Sequence, residues 1–349
     1  MHAHLPGMQA IVRFFSRRRF WGMGLGAGVV GAIALTARYA FRTRRPVKIP
    51  ETISPAIFAT RVFYTAKGQL VYHESGKGDP LVFIHGIYPG ASSFEWSRVY
   101  PHFADRFQVL APDLMGFGES ARPRRPCGVY EQVESLAEFL RAKGGDLSSV
   151  IVASGMGAAL AVLLAERHPE LLKRLLLVMP INATTKTKGR RFAPHRWIAA
   201  VPFAGRPYYY RFLATRARIR LWLATACFAE PEKVDDEIID VFSTCARQFG
   251  ADRAAIYWLR GKLDVDLERH LAEVPHPVTL IWSDEAPGYN PEIGYRLQKI
   301  PKQCNFVVLE KSGVFPALET SKEFVELLNR ELDSKLRVYP AKGEEKKAG

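Results

Sequence analysis

The sequence predicts an α/β protein with a mostly parallel central sheet flanked by helices, a helical cap insertion and one N-terminal transmembrane helix. Three observations predict this class. From residue 50 onward, short apolar runs alternate with helical stretches, as in sheets that are covered by helices on both faces. Residues 181–276 interrupt the alternation and are too many for a structureless loop. Residues 20–37 form an uncharged apolar run.

These features divide the chain into seven segments. They are a basic N-terminal segment 1–19, a transmembrane anchor 20–37, a basic linker 38–54, a first core part 55–180, a helical cap 181–276, a second core part 277–333 and a C-terminal tail 334–349. The Lys/Glu-rich end of the tail is typical of a solvated terminus.

The composition is that of an ordinary globular protein. The chain has 349 residues, of which 48% are hydrophobic and 24% charged, and this excludes disordered and fibrous classes. Of the net charge of +14, most belongs to residues 1–50, which carry Arg and Lys but no acid. No nucleic-acid reading module accompanies the charge, so no nucleic-acid partner is expected. The four cysteines lack metal-binding spacing, and neither a metal nor a cofactor is predicted.

Residues 20–37 are just long enough for a helix that crosses the hydrocarbon core. Arginines flank the run on both sides, so the positive-inside rule does not orient it and the side of the soluble domain stays open. Glycines at GxxxG spacing predict a packing face for another membrane helix, in addition to contact with lipids. These are Gly22, Gly24, Gly26, Gly28 and Gly31. A single-pass membrane location follows.

Two alternatives remain for the same segment. The residues SRRRF at 16–20 resemble a twin-arginine export signal, and AIA at 32–34 is a candidate cleavage site. An Arg-rich leader without acids is also typical of an organellar transit sequence.

The core elements follow in order along the chain. A Gly-containing turn joins the apolar runs 57–65 and 69–74 in a predicted hairpin. Buried strands of the parallel type are then predicted at 81–85, 108–111, 150–153, 175–179, 278–282 and 306–309. Helices are predicted at 130–143, 158–168, 293–300 and 319–332.

The beginning of the cap, residues 186–220, contains ten Arg and Lys, no acid and several aromatic residues. It predicts a face for a membrane surface or an anionic partner, and the alternative is a solvated cap helix. Nine of these ten basic residues are assigned to the face: Lys186, Lys188, Arg190, Arg191, Arg196, Arg211, Arg216, Arg218 and Arg220.

Four landmarks in the core resemble the α/β-hydrolase family over roughly residues 61–332. The segment LVFIHG at 81–86 resembles the strand that ends in the family's His-Gly turn, and APDLMGFGES at 111–120 resembles its D-x-x-G-x-G-x-S segment. The strand, turn and helix at 150–168 resemble the nucleophile elbow, and PVTLIW at 277–282 resembles the strand before the acid loop. The resemblance implies the α/β-hydrolase fold.

The resemblance also implies where a catalytic triad would lie, and none of its side chains is present. The elbow reads ASGMG at 153–157, which places Gly155 where the family has its nucleophile. The acid loop SDEAP at 283–287 places Ala286 at the acid position, and SGVFP at 312–316 places Val314 at the histidine position. All nine histidines precede residue 277, so the family's order of nucleophile, acid and histidine is not completed.

Some site features remain in this alignment. Ser154, Asp284 and Glu285 are fallback candidates for displaced catalytic groups, with a cap histidine such as His195 or His270 as base. The backbone N–H groups of Ile87 and Met156 are expected to persist as oxyanion-type donors.

We therefore expect a membrane-anchored, non-catalytic accessory or scaffolding subunit of a membrane protein complex, with a membrane-protein partner docked through the anchor. Two alternatives remain. The first is a ligand-binding module that uses the degenerate pocket, and the second is a serine-hydrolase-like esterase with displaced catalytic groups.

Overall fold

A computed structural model describes residues 58–144, 147–180, 197–199, 201 and 204–333. Its centre is an eight-stranded sheet in the order β1-β2-β4-β3-β5-β6-β7-β8. The strands are β1 (Ala59–Thr65), β2 (Gly68–Ser75), β3 (Pro80–Ile84), β4 (Gln108–Pro112), β5 (Ser149–Ser154), β6 (Leu172–Val178), β7 (Val278–Ser283) and β8 (Cys304–Leu309). β1 and β2 are antiparallel to their neighbours, and the strands from β4 to β8 are parallel. The predicted mostly parallel sheet is confirmed.

The central strands are buried on both faces, which explains their continuous apolar sequences. Every residue of β3, β5 and β7 is buried. β1 lies at the edge of the sheet and is largely exposed, so its residues do not alternate regularly between buried and exposed positions. Helices cover a parallel sheet on both sides, and strands of this kind therefore need no polar face.

Helices connect the parallel strands and form the cap. The α-helices of six or more residues in the described part of the chain are α1 (Val129–Gly144), α2 (Gly155–Arg167), α3 (Arg216–Ala226), α4 (Asp236–Arg247), α5 (Ala251–Leu259), α6 (Leu267–Ala272), α7 (Pro291–Leu297) and α8 (Ser321–Asp333). Single turns occur at Ser93–Trp96, Tyr100–Phe103, Pro169–Leu171, Gly205–Tyr208, Tyr209–Leu213, Pro231–Lys233 and Pro316–Glu319.

The described part of the cap is helical, from α3 to α6. In helix α4 the local sequence fixes where the helix begins. Asp235 caps its N-terminus by accepting a hydrogen bond from the Ile238 N–H at 2.8 Å. Ile238, Ile239 and Phe242 lie on its buried side. The cap therefore packs its apolar face onto the core.

The last predicted helix is wrong at its start. The sequence suggested a helix from residue 319, but the chain makes one turn at Pro316–Glu319 and α8 begins at Ser321. Glu319 turns its carboxylate inward, where it accepts from the N–H groups of Gly313 and Glu230 at 2.7 and 2.8 Å. These two bonds, of which the one to Glu230 is distant in sequence, hold the turn apart from the helix that follows.

Within the described residues, no helix combines the length and the apolar character that crossing a bilayer requires. The predicted anchor 20–37, the linker 38–54 and the tail 334–349 lie outside the described residues.

Candidate functional site

A sharp strand-to-helix turn joins β5 to α2 at Gly155. Its φ of +49° lies in the left-handed region that residues with a side chain rarely adopt. A Cβ added there would have the Gly86 Cα as its nearest neighbour, at 3.9 Å, so the adjacent space is open. Two residues later, a Cβ at Gly157 would lie 2.2 Å from the His85 carbonyl oxygen. The beginning of α2 therefore packs directly on the His-Gly turn after β3, and only glycine fits at residue 157.

Ser154, the last residue of β5, does not face solvent. It is 4% exposed, and its hydroxyl donates a hydrogen bond to the Glu95 carboxylate. The other oxygen of Glu95 accepts from the Gly86 N–H at 2.9 Å and from the Tyr88 hydroxyl at 2.8 Å. A buried carboxylate therefore binds three donors that surround the turn.

The Glu95 carboxyl group lies deep in the protein, at 2% exposure. Burial raises its pKa, and the hydrogen bonds from Ser154, Gly86 and Tyr88 oppose that shift. Among the described residues, no Lys or Arg forms an ion pair with it. Charge at this position is therefore stabilised by hydrogen bonds alone.

The sequence analysis did not single out Glu95. It lies on the single turn Ser93–Trp96, 59 positions from Ser154, and no spacing motif connects the two. Its neighbours Phe94 and Trp96 are both buried. In the sequence, the position of Glu95 between two large aromatic residues is the one signal that indicates its burial.

The three predicted triad positions lie at the carboxyl ends of parallel strands, where α/β proteins place their ligands. Gly155 follows β5, Ala286 follows β7 and Val314 follows β8. Ala286 is buried, whereas the fallback acids Asp284 and Glu285 are exposed. The side-chain partner that the structure gives Ser154 is Glu95, not either fallback acid.

The expected backbone donors flank the turn. Ile87 is buried and directly follows Gly86, and Met156 is in the first turn of α2. The N–H group of the neighbouring Gly86 is bonded to Glu95.

Aromatic side chains connect the cap to the core beside Val314. The ring of Phe315 lies 5.1 Å from that of Tyr88, and 5.9 Å from both Trp222 of α3 and Phe242 of α4. Tyr88 also stacks on Phe242 at 5.4 Å. These contacts hold α3 and α4 against the strand ends.

A small cavity lies where the cap meets the core. Its volume is about 10 Å³, room for about one water molecule. Tyr88, Phe117, Arg122, Tyr209 and Cys245 are among its lining residues. A space of this size does not by itself favour a ligand-binding role.

The described histidines near the core have structural partners. The His85 Nε2 atom accepts from the Leu114 N–H at 3.0 Å. The His270 Nδ1 atom lies 2.6 Å from a Glu166 carboxylate oxygen, so this cap histidine pairs with α2 and not with Ser154. His195 lies outside the described residues.

The described part of the basic cap face is partly neutralised. Arg211, Arg216, Arg218 and Arg220 are exposed, as expected. Arg216 and Arg220 form ion pairs with Asp236 of α4 at 2.8 and 3.5 Å, and Arg216 also pairs with the adjacent Asp240. The acids come from the next helix, which the local composition did not reveal. The other members of the face, Lys186, Lys188, Arg190, Arg191 and Arg196, lie outside the described residues.

A mostly parallel sheet with a glycine-bearing elbow after β5 and an inserted helical cap defines a class of α/β proteins. The chain belongs to the alpha/beta hydrolase family, whose sequence model matches residues 81–327.

Individual relatives agree with this membership. An uncharacterized protein of Mycobacterium tuberculosis is 25% identical over 313 residues, which cover 84% of this chain and 85% of that protein. The 2-hydroxymuconate semialdehyde hydrolase of a Pseudomonas species is 39% identical over 112 residues, covering 30% of this chain and 38% of that enzyme. The solved structure of a serine hydrolase involved in carbazole degradation has a TM-score of 0.64 at 23% identity, covering 79% of this chain and 98% of that one.

Proposed function

We propose that this chain is a non-catalytic member of the alpha/beta hydrolase family that serves as a membrane-anchored accessory subunit of a protein complex. One observation carries the first part: Gly155, at the sharp turn after β5, has a left-handed φ and open space beside it but no side chain. Covalent catalysis needs a nucleophilic atom there, with a base beside it and a group that orients the base. Ala286 and Val314 add no titratable group at the other strand ends.

The environment of Ser154 supports the same proposal. Its hydroxyl is buried and bonded to Glu95, which also holds the Gly86 N–H and the Tyr88 hydroxyl. A carboxylate with three donors is a structural centre that joins β5 to the His-Gly turn. Ser154 is one of the groups that it holds.

A second candidate function is ester or carbon–carbon bond hydrolysis with displaced groups. The hydrogen bond from Ser154 to Glu95 favours it, because a carboxylate of raised pKa is a possible direct base. The hydrolase names among the relatives favour it as well. In this chemistry Ser154 Oγ would attack the substrate carbonyl, Glu95 would take the hydroxyl proton and return it to the leaving group, and water would release the acyl group.

A fluorophosphonate probe separates the two functions, because it phosphonylates an activated serine and leaves a structural one unmodified. The full chain is treated with the probe, and Ser154 is examined by peptide mass spectrometry beside a related serine hydrolase that labels readily. We expect no modification at Ser154. Stoichiometric labelling that is lost in Ser154→Ala and weakened in Glu95→Gln would establish the second candidate instead.

The membrane-subunit part of the proposal is supported by the apolar run 20–37 and its glycine spacing. Mild detergent extraction of the native membrane and affinity purification of the chain should recover a partner in fixed ratio. Replacing Gly24, Gly28 and Gly31 together by leucine should release that partner and leave the chain membrane-bound. Recovery of the wild-type chain alone, as a single homogeneous species, would contradict the accessory role.

A further inference from the structure

Besides the turn at Gly155, a largely buried cluster joins β2, the second strand of the sheet, to the loop after β4. It consists of His73 on β2, Asp113 directly after β4, and Glu119 in the following loop. One ligand-type atom from each residue lies within 4.8 Å of the other two. Asp113 and Glu119 lie six positions apart in the segment 111–120, whereas His73 lies forty positions before Asp113 and no spacing motif connects it to them.

The imidazole of His73 has an unused nitrogen that faces this cluster. Its side chain is 1% exposed, and Nε2 has no hydrogen-bond partner. The nearest carboxylate oxygen of Glu119 is 4.0 Å away, beyond hydrogen-bond distance. A buried polar atom without a partner costs free energy, so this position is suited to an added ligand.

The other nitrogen of His73 has a partner that orients the ring. Nδ1 lies 3.2 Å from the Thr60 hydroxyl on β1. When Nδ1–H donates to that hydroxyl, Nε2 presents its lone pair towards the two carboxylates. Metal-bound histidines are commonly held in this way by a hydrogen bond from the second ring nitrogen.

The carboxylates supply negative charge and free acceptor positions. The two oxygens of Asp113 accept from the N–H groups of Ser93 and Glu119, both at 2.7 Å, which fixes the carboxylate in place. Each oxygen retains a second lone pair. Burial and the charge of Asp113 raise the pKa of Glu119, whereas Arg122 opposes that shift.

We propose that His73, Asp113 and Glu119 form a binding site for a divalent transition-metal cation of the zinc type. One imidazole and two carboxylates match the nitrogen and oxygen ligands of such ions, with water completing a tetrahedron. Because the three atoms all lie within 4.8 Å of one another, a central point lies at most about 2.8 Å from each of them. Zinc bonds of about 2.0–2.2 Å therefore require inward movements of at most several tenths of an ångström. Glu119 has room to do so, because its side chain is 23% exposed.

A cation at this site would join three parts of the core. It would link β2 and the end of β4 to the following loop, in which the Leu114 N–H donates to His85 beside the Gly155 turn. The proposal stands independently of whether the chain hydrolyses a substrate.

Zinc binding to the full chain tests the proposal directly. Chelator-treated protein is titrated with zinc chloride against a chromophoric competitor, in parallel with His73→Gln and Glu119→Gln. We expect one tightly bound equivalent in the wild type. Each substitution should weaken binding by more than the roughly 10- to 100-fold that the loss of an outer-shell partner costs.

Two controls give the titration its specificity. His168→Gln removes a surface histidine that pairs with Glu134 at 3.1 Å, and it should bind zinc as the wild type does. His2 and His4 are present in every variant, so any binding by them is common to all. Glu119→Gln alters a half-buried loop side chain and keeps the test valid if His73→Gln fails to fold. Equal zinc affinity in the wild type and Glu119→Gln, or no saturable binding at micromolar zinc, would overturn the proposal.

Discussion

Replacing Glu95 should expose how strongly the turn at Gly155 depends on one buried carboxylate. In Glu95→Ala, the Gly86 N–H and the Ser154 and Tyr88 hydroxyls lose their common acceptor. The N–H group is fixed by the backbone and stays unpaired, at a cost of about 1–3 kcal/mol. Each hydroxyl can rotate towards another acceptor, so it costs closer to 1 kcal/mol. The free energy of unfolding should therefore fall by about 3–5 kcal/mol.

Glu95→Gln should cost less, because the amide oxygen still accepts from the backbone. Its effect should also depend on pH. The pKa of Glu95 is raised in the folded protein. At pH values between the ordinary pKa of 4.5 and the raised pKa, the folded wild type therefore binds more protons than the unfolded chain does. The stability of the wild type therefore falls as the pH rises through that interval, whereas glutamine does not titrate. The free energy of unfolding of the wild type should exceed that of Glu95→Gln by a larger margin at pH values below this interval than at pH values above it.

Thermal unfolding of the full chain in detergent, followed by far-ultraviolet circular dichroism, measures these changes. At about 2–4 °C per kcal/mol, Glu95→Ala should lower the Tm by roughly 6–20 °C. The control Glu326→Ala alters an exposed acid inside α8 and should change the stability by less than about 0.5 kcal/mol. If Glu95→Ala unfolds within 2 °C of the control, the hydrogen-bonded centre does not stabilise the turn and the reasoning fails.

Two further substitutions test the packing around the sheet, each by urea denaturation. Gly157→Ala would place a Cβ 2.2 Å from a backbone oxygen and should lower the free energy of unfolding by about 2–3 kcal/mol. In the control Gly144→Ala, the new Cβ would have no neighbour closer than 3.7 Å, so the stability should hardly change. Equal midpoints for the two would contradict the close approach of α2 to the His-Gly turn. Arg174→Met should cost about 2–3 kcal/mol, because Glu331, whose side chain is 13% exposed and lies 2.8 Å from Arg174, would keep its charge with fewer partners. A loss below about 1 kcal/mol would show that the pair is effectively solvated.

Local sequence was sufficient for most of the fold. The apolar runs of β3, β5 and β7 predicted strands because both faces of these strands are buried, so no polar alternation interrupts them. The start of α8 was predicted incorrectly because Glu319 bonds to Gly313 and to Glu230 in the cap. The second of these contacts is distant in sequence and has no local signature.

The site was less predictable, because its groups meet only through tertiary packing. Gly155 and its neighbours were predicted from a local motif. Glu95 reaches Ser154 across 59 positions, and no spacing connects them. His73 and Asp113 come together through the antiparallel pairing of β2 with β4, where His73 lies opposite Ala111. Such cross-strand neighbours depend on sheet order, which the sequence analysis did not assign.

Introducing triad side chains at the three proposed positions tests the central proposal most directly. The full chain and the triple variant Gly155→Ser, Ala286→Asp and Val314→His are compared for hydrolysis of short-chain p-nitrophenyl esters, each beside its Ser154→Ala counterpart. Open space beside Gly155 accommodates the new hydroxyl. We predict that the wild type gives the buffer rate and that Ser154→Ala changes nothing, while the triple variant gains turnover. Hydrolysis by the wild type that disappears in Ser154→Ala would contradict a non-catalytic role.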